Sequence, residues 1–232
     1  MTGDIRRNIE SLRARMERAC ERCGRDPASV RLMAVSKFVE TARMAEAIDC
    51  GIRLFGENRA QELHEKQTFF ENSGCTVHFI GQLQTNKIKY VCGFAETVES
   101  VDRLRLAEGL SARARALGCT QGFMIQVNIG GEPQKGGVSD ADLVPFAHRA
   151  LACGQLELRG LMCVPPALEP EAARPYFRRM RGLFEALRAA FPGQPLRELS
   201  MGMSHDFETA IEEGATIVRV GTGIFGVRHA GI

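Results

Sequence analysis

The feature that most constrains the fold is a repeated alternation of apolar runs of strand length with helical patterns. Between the runs, apolar residues recur at three- and four-residue steps, the spacing of one helix face. Consecutive runs begin roughly 20 to 40 residues apart, which is the size of a βα unit. The predicted strands are Arg31–Val35, Ile52–Phe55, Val77–Ile80, Ala95–Val98, Phe123–Val127, Leu156–Cys163, Leu196–Leu199 and Thr216–Val220.

Strands that alternate with helices indicate a parallel sheet. Eight such units after one further helix, marked by Ile5, Ile9, Leu12 and Met16, predict an α/β fold. We expect a (β/α)8 TIM barrel with an extra N-terminal helix. A doubly wound open sheet is the structural alternative. The barrel is favoured because the strand count is eight and no linker or composition shift divides residues 1–232, which we expect to form a single domain.

Charge and composition argue against several classes of protein. The formal charge is +2 and the basic residues are scattered, so no nucleic-acid surface is expected. No apolar run reaches the length of a membrane span, on the order of 20 residues, and the N-terminus has no apolar signal core. We therefore expect a cytoplasmic protein without a membrane anchor. The eight cysteines lie far apart, and Cys20 and Cys23 have no second ligand pair, so free thiols and no metal are expected.

In a barrel, the active site lies where the strands end at their carboxyl side. Polar and glycine residues collect after most of the predicted strands. The segments are SK at 36–37, GEN at 56–58, GQLQTNK at 81–87, NIGGEPQKGG at 128–137, SMGMSHD at 200–206 and GTGIFG at 221–226.

The last two of these segments predict a phosphate site. Gly221 and Gly223 let backbone amides approach an anion, and Thr222 adds a hydroxyl. Ser204 is predicted to cap the helix that runs through Phe207, which offers free N–H groups and a positive dipole end. Each feature alone is also explained by a turn or a cap. Together they favour phosphate, because the loops after strands seven and eight of barrels frequently bind it.

Two cations are predicted at the same mouth. Strand alternation puts Ile217 and Arg219 on one face, so Arg219 either faces the lumen with a partner or reaches solvent at the strand end. The first and eighth strands are neighbours in a closed barrel, which brings Lys37 beside Arg219. A partly desolvated amine near other cations reacts with carbonyl groups. An aldehyde that also carries a phosphate, such as pyridoxal 5′-phosphate, would satisfy both features, and a lysine that only binds phosphate is the alternative.

The segments AVSK, FGEN, HFIGQLQTNK and LSMGMSHDFETAIEEGATIVRVGTGIFG together resemble the pyridoxal phosphate homeostasis family over nearly the whole chain. That family is similar to the barrel domain of alanine racemases. The resemblance implies that Lys37 forms an imine with pyridoxal 5′-phosphate and that Arg219 faces the pyridine nitrogen. It also implies that Asn58 lies near the ring and that Met162, as a further cofactor-binding residue, packs against the surroundings of the ring. It implies phosphate contacts from Ser204, Gly221 and Thr222. Two stretches depart from the usual family pattern, at Arg59-Ala60 and in the loop 128–138 around Lys135.

The resemblance also implies a role. It favours a non-catalytic carrier that holds pyridoxal phosphate within the cell and delivers it to apo-enzymes that depend on it. The absence of the second, β-rich domain of racemases makes a monomer the expected state. The alternative is a racemase-like enzyme with weak activity, in which Lys37 serves one face of the bound substrate. Related racemases complete the other face with a tyrosine from a partner subunit, but Tyr90 and Tyr176 are both predicted in helices.

The remaining polar residues receive less specific interpretations. His78 is interpreted as a hydrogen-bonded core residue. His205 and Asp206 are predicted in the first turn of a helix, where Asp206 suits the helix dipole. Asn86 and Lys87 either line the rim or begin a helix.

Overall fold

A computed structural model describes residues 4–226, and these residues contain a closed barrel of eight parallel strands. Each strand pairs with the next along the chain, and the last pairs with the first. The prediction of a (β/α)8 barrel is therefore confirmed, and the alternative of a doubly wound open sheet is wrong. The strands are β1 Arg31–Val35, β2 Leu54–Glu57, β3 Thr76–Phe79, β4 Thr97–Val101, β5 Gln121–Val127, β6 Leu156–Cys163, β7 Glu198–Ser200 and β8 Ile217–Val220.

Helices surround the barrel and connect its strands. Short 3₁₀ helices cover Pro27–Ser29 and Thr85–Tyr90. The α-helices of the described range are α1 Ile5–Arg22, α2 Thr41–Asp49, α3 Ala60–Glu65, α4 Gln67–Ser73, α5 Leu104–Leu117, α6 Leu143–Ala152, α7 Pro170–Ala190, α8 Phe207–Glu212 and α9 Thr222–Phe225.

The predicted strands coincide with the observed ones at β1 and β6 and deviate elsewhere. The predicted Ile52–Phe55 is shifted by two residues, because β2 continues through Glu57, whose buried carboxylate is hydrogen-bonded. The predicted Ala95–Val98 misses the end of β4, where Glu99 is buried in the lumen. In both strands a polar residue with buried partners interrupts the apolar run but not the backbone pairing.

Strand alternation divides the core into two parts. Residues that face outward, such as Ala34, Phe55 and Val218, pack with the helices in the larger apolar cluster. Residues that face inward form a separate small cluster in the barrel lumen. Its members are Met33, Leu54, Met124, Met162 and Ile217, with Ile80 packed against them. The polar part of the lumen consists of buried residues that are hydrogen-bonded to one another.

The extra N-terminal helix is confirmed as α1. Its buried residues recur at helical spacing, and Asp4 caps its start by accepting a hydrogen bond from the backbone N–H of Arg7. The helix packs against α8 and α9, which follow the last two strand-end loops. The Asn8 side chain donates a hydrogen bond to the carbonyl of Ile224 at 2.9 Å, so α1 also anchors α9 directly.

We predict that Ile9→Ala destabilises the protein by about 2–5 kcal/mol, since it leaves a cavity under α1. Ile9 is only 1% exposed and lies in the larger apolar cluster. Urea unfolding followed by circular dichroism measures the change. The control is Glu10→Ala at an exposed position of the same helix, for which we expect a change within about 0.5 kcal/mol. Equal effects of the two substitutions would contradict the docking of α1.

Candidate functional site

Lys37 lies in a turn just past the carboxyl end of β1. It continues the series of alternate positions that begins with the inward-facing Met33. The residue is half-buried, and its amine has no hydrogen bond or ion pair to any described residue. The neighbouring Phe38 is 63% exposed, and the Arg59 guanidinium lies 5.1 Å from its ring centroid. Arg59, which departs from the family pattern, thus contacts the residue that follows the lysine.

Arg219 faces the lumen. Of the two interpretations from the sequence, the one with a buried partner therefore holds, and the one in which the side chain reaches solvent does not. Arg219 is 5% exposed and pairs in register with Met33, so it lies deeper in the barrel than Lys37. Its guanidinium donates to Ser200 Oγ at 2.8 Å and to the carbonyl oxygen of Cys163 at 2.7 Å. These bonds satisfy part of a buried charge that would be costly without partners.

A carboxylate behind Ser200 supplies the counter-charge. Glu99 is fully buried, accepts a hydrogen bond from Ser200 Oγ at 2.6 Å, and lies 2.7 Å from Nδ1 of His78. Burial alone would raise the pKa of Glu99, but His78, with help from Arg219 and Ser200, holds that pKa below its usual range. The carboxylate is therefore ionised and compensates the buried guanidinium. The chain Arg219–Ser200–Glu99–His78 crosses the polar part of the lumen.

His78 is a buried core histidine with a hydrogen-bond partner, as predicted. Burial opposes its charge, but the carboxylates of Glu96 and Glu99 outweigh burial and raise the pKa of His78 to about 9. The Nε2 atom lies 3.8 Å from Glu96 Oε2, a distance for an ion pair rather than a hydrogen bond. The His78 ring is therefore protonated on both nitrogens and positively charged at neutral pH.

Asn58 and Met162 line different depths of the same opening. Asn58 follows β2 in the inward series of Leu54, and its Oδ1 atom is buried without a hydrogen-bond partner among the described residues. A buried polar atom without a partner usually indicates a missing water, ion or ligand. Met162 lies in the lumen cluster at 2% exposure, so it packs beneath the mouth rather than at its rim.

The loops after β7 and β8 come together as predicted. A Cβ atom placed on Gly223 would lie 3.5 Å from Ser204 Oγ and 2.7 Å from Val220 Cγ1, so the Ser204 hydroxyl lies against the glycine loop. Gly221 precedes α9, and Thr222 is its first residue and is exposed. The backbone N–H groups of Ile224 and Phe225 donate to the carbonyl of Gly221, whereas those of Thr222 and Gly223, at the start of the helix, have no partner within it. The hydroxyl of Ser204 and these amides therefore lie on one side of the mouth.

The predicted capping role of Ser204 is wrong. Helix α8 begins at Phe207 and its cap position is Asp206. The Asp206 carboxylate instead accepts a hydrogen bond from the backbone N–H of Met203 at 2.6 Å, which closes the turn that contains Ser204. Ser204 is therefore left half-buried in the turn, with its hydroxyl towards the glycine loop.

The other candidates lie outside the mouth's interior. Asn86 and Lys87 belong to the 3₁₀ helix Thr85–Tyr90. His205 is exposed and lies 3.5 Å from a carboxylate oxygen of Glu169. Lys135 donates to the carbonyl of Pro165 at 2.9 Å. This bond connects the loop 128–138, whose sequence departs from the family pattern, to the loop after β6.

Sequence reasoning missed Glu99, Ser200 and Lys66. All three are buried polar residues, and Ser200 is in the inward series of its strand. An acidic residue inside an apolar strand was the available signal for Glu99. Nothing in the sequence pairs it with residues about a hundred positions away.

Metal and membrane features are not found in the part of the chain that the structure describes. No group of three or more histidine, cysteine, aspartate or glutamate side chains in residues 4–226 is placed to hold a metal ion. Across the same range, no helix has both the length and the apolar character that a membrane crossing needs.

The class of this protein follows from its parallel barrel, with a lysine after β1 and a glycine loop after β8, together with one family match. The family described as "Alanine racemase, N-terminal domain" matches residues 5–229. This match covers nearly the whole chain and agrees with the fold described above.

Individual relatives narrow the class. A pyridoxal phosphate homeostasis protein of Aquifex aeolicus is 45% identical over 92% of this chain and 94% of its own. One of Escherichia coli K12 is 40% identical, with 97% of each chain covered. The structure of PipY from Synechococcus elongatus PCC7942, with PLP bound, has a TM-score of 0.84 at 36% identity and covers 96% of this chain and all of that one. The chain belongs to the pyridoxal phosphate homeostasis protein family.

We predict that the free energy of unfolding falls between pH 6.5 and 9 because of His78. Its pKa is 6.5 in the absence of interactions and about 9 in the folded protein, so its contribution is complete below pH 6.5 and is lost as pH rises through 9. The slope approaches about 1.4 kcal/mol per pH unit for one proton. Urea unfolding across this range measures it. In His78→Asn the slope should shrink, whereas the exposed His205→Asn should keep it; an unchanged slope in His78→Asn would contradict the assignment.

Proposed function

We propose that this protein binds pyridoxal 5′-phosphate and acts in its homeostasis as a non-catalytic carrier. The observation that carries the proposal is the placement of Lys37. Its amine, which has no hydrogen bond or ion pair to any residue within 4–226, lies at the same barrel mouth as a glycine loop and a buried arginine. The curated relatives named for pyridoxal phosphate homeostasis, and PipY with PLP bound, support the same ligand.

The residues of the mouth fit the ligand. The phosphate would be held by Ser204, Gly221 and Thr222, where hydroxyls and first-turn amides lie together. The buried Oδ1 of Asn58 has no partner among the described residues and would lie beside the ring. Met162 would support the ring from the lumen cluster. When bound, pyridoxal phosphate supplies an aldehyde that reacts reversibly with primary amines, and Lys37 offers such an amine.

Arg219 favours storage over catalysis. The proposal places its guanidinium towards the ring nitrogen, and a guanidinium donates hydrogen bonds but cannot accept a proton. The ring nitrogen would therefore stay largely unprotonated, which weakens the ring as an electron sink. The hydrogen bonds to Ser200 and to the Cys163 carbonyl hold Arg219 in place, and Glu99 keeps its charge compensated.

A racemase-like activity has less support. It requires an acid–base group opposite Lys37, and the two tyrosines of the chain lie in the helical layer. Tyr90 contacts the ring of His64 at a centroid distance of 4.9 Å. Tyr176 packs against the larger apolar cluster. Neither is part of the lumen cluster or its hydrogen-bond chain.

We also propose an oligomeric state, recipients and a compartment for the protein. Residues 1–232 would act as one binding domain and as a monomer. The recipients would be apo-enzymes that require pyridoxal phosphate. The eight cysteines are all free thiols, which fits a reducing cytoplasm.

We predict that borohydride reduction of the loaded protein fixes one pyridoxyl group to the peptide that carries Lys37. Lys37→Ala should abolish the adduct and weaken binding at least about tenfold, or about 1.4 kcal/mol, while phosphate contacts retain some affinity. Peptide mass mapping and absorbance titration measure both. Lys87→Ala, at another half-buried lysine, is the control and should behave as the unmodified protein. An adduct at a different lysine would overturn the assignment.

We predict no catalysed proton exchange at the α-carbon of D- or L-alanine in deuterated water. The physical reason is that both tyrosines lie in the helical layer and that the ring beside Arg219 would be a poor electron sink. Proton NMR of the loaded protein measures the exchange, with free pyridoxal phosphate at equal concentration as the reference. Exchange well above that reference, with inversion of configuration, would support the racemase alternative instead.

A further inference from the structure

The turn that carries Lys37 has an uncommon backbone. The carbonyl of Ser36 accepts a hydrogen bond from the N–H of Val39 at 3.0 Å, which closes a four-residue turn with Lys37 at its second position. Phe38, the third residue, has a φ of 58°. A bulky residue other than glycine rarely adopts this left-handed conformation, so the surrounding structure must hold it there.

A buried lysine holds this turn from the helix side of the barrel wall. Lys66 lies at the junction of α3 and α4 and is 8% exposed. Its Nζ atom donates to the carbonyl of Ser36 at 2.8 Å, to Glu57 Oε1 at 2.8 Å and to Glu62 Oε1 at 2.7 Å. An ammonium group has three donors, so all of them are used. Lys66 is therefore a structural cation and not a second reactive amine.

The carboxylates of Glu57 and Glu62 also hydrogen-bond to the residues on either side of Lys37. Glu57 Oε1 also accepts a hydrogen bond from Ser36 Oγ at 2.7 Å. Glu62 Oε1 also accepts one from the backbone N–H of Phe38 at 2.5 Å. The residue before Lys37 is thus held at its hydroxyl and carbonyl, and the residue after it at its amide. The side chain of Lys37 takes no part in these contacts.

We infer that Lys66, acting through Glu57 and Glu62, is a positioning residue that presents the Lys37 amine to the aldehyde of the ligand. This inference rests on the proposed function. The lysine side chain is flexible, so the direction of the amine depends on how firmly its backbone is fixed. A fixed turn lowers the entropy lost when the amine and the aldehyde meet. The network of Lys66, Glu57 and Glu62 would make no contact with the phosphate, which the loops after β7 and β8 would hold.

This difference gives a direct test with two ligands. Pyridoxal 5′-phosphate has the aldehyde, whereas pyridoxine 5′-phosphate has an alcohol in its place and cannot react with an amine. We expect Lys66→Met and Glu62→Ala to weaken binding of pyridoxal phosphate about tenfold or more, since the amine is no longer fixed. Binding of pyridoxine phosphate should stay within about twofold, because its contacts are made elsewhere. Fluorescence or calorimetric titration of the full chain measures both affinities.

Two further variants sharpen the test. Glu62→Gln keeps an oxygen that accepts from the Phe38 amide and from Lys66, so it should restore most of the affinity that Glu62→Ala loses. Glu65→Ala, at an exposed position of α3, should have no effect. If Lys66→Met melts too early to titrate, Glu62→Ala decides, since Glu62 lies at the partly exposed edge of the network.

The possible outcomes separate the two claims. Equal loss of both ligands in Glu62→Ala would indicate a general structural role and overturn the positioning role. Unchanged binding of both ligands would overturn it as well. If the unmodified protein bound neither ligand, the proposed function itself would fail. If Lys37→Ala bound pyridoxal phosphate normally, the assignment of the imine to Lys37 would fail, and the positioning role with it.

Discussion

Closure of eight parallel strands is the constraint on which the rest of this structure depends. A closed sheet has an inside and an outside, so every second residue of each strand must enter the lumen. This rule sends Met33, Ile217 and Arg219 inward and leaves Ala34 and Val218 to pack with the helices. It also brings the loops after β1, β7 and β8 to one mouth, because β1 and β8 are neighbours. A lysine, a serine hydroxyl and a glycine loop that are distant in sequence thereby face the same space.

An arginine in the lumen is tolerable only because the barrel supplies its partners. Glu99 and Ser200 come from β4 and β7, and together they give Arg219 a counter-charge and a hydrogen bond. A second buried network on the outer side of the wall fixes the turn around Lys37 through Lys66. The two networks have different tasks. One holds a cation in the lumen, and the other holds the backbone that carries Lys37.

The sequence was sufficient for the architecture and for the expectation that the loops after the first and the last two strands meet at one mouth. Strand count predicted the barrel, and alternation predicted one possible direction of Arg219, which the lumen contacts confirm. It was insufficient wherever a buried polar residue depends on partners from another strand. Glu57 and Glu99 interrupt apolar runs, so the ends of β2 and β4 were misplaced. Ser204 was predicted to cap α8 because its residue type suits a cap, but the carboxylate of Asp206 closes the turn instead. The roles of the mouth residues toward the ligand stay predictions.

The most direct test of the central claim is a crystal structure of the protein grown with pyridoxal 5′-phosphate. The account predicts density continuous from Nζ of Lys37 to the ligand, with the phosphate between Ser204 and the loop at Gly221 and Thr222. It also predicts Arg219 beside the ring nitrogen. A ligand bound elsewhere, or a phosphate outside the loops after β7 and β8, would contradict the account.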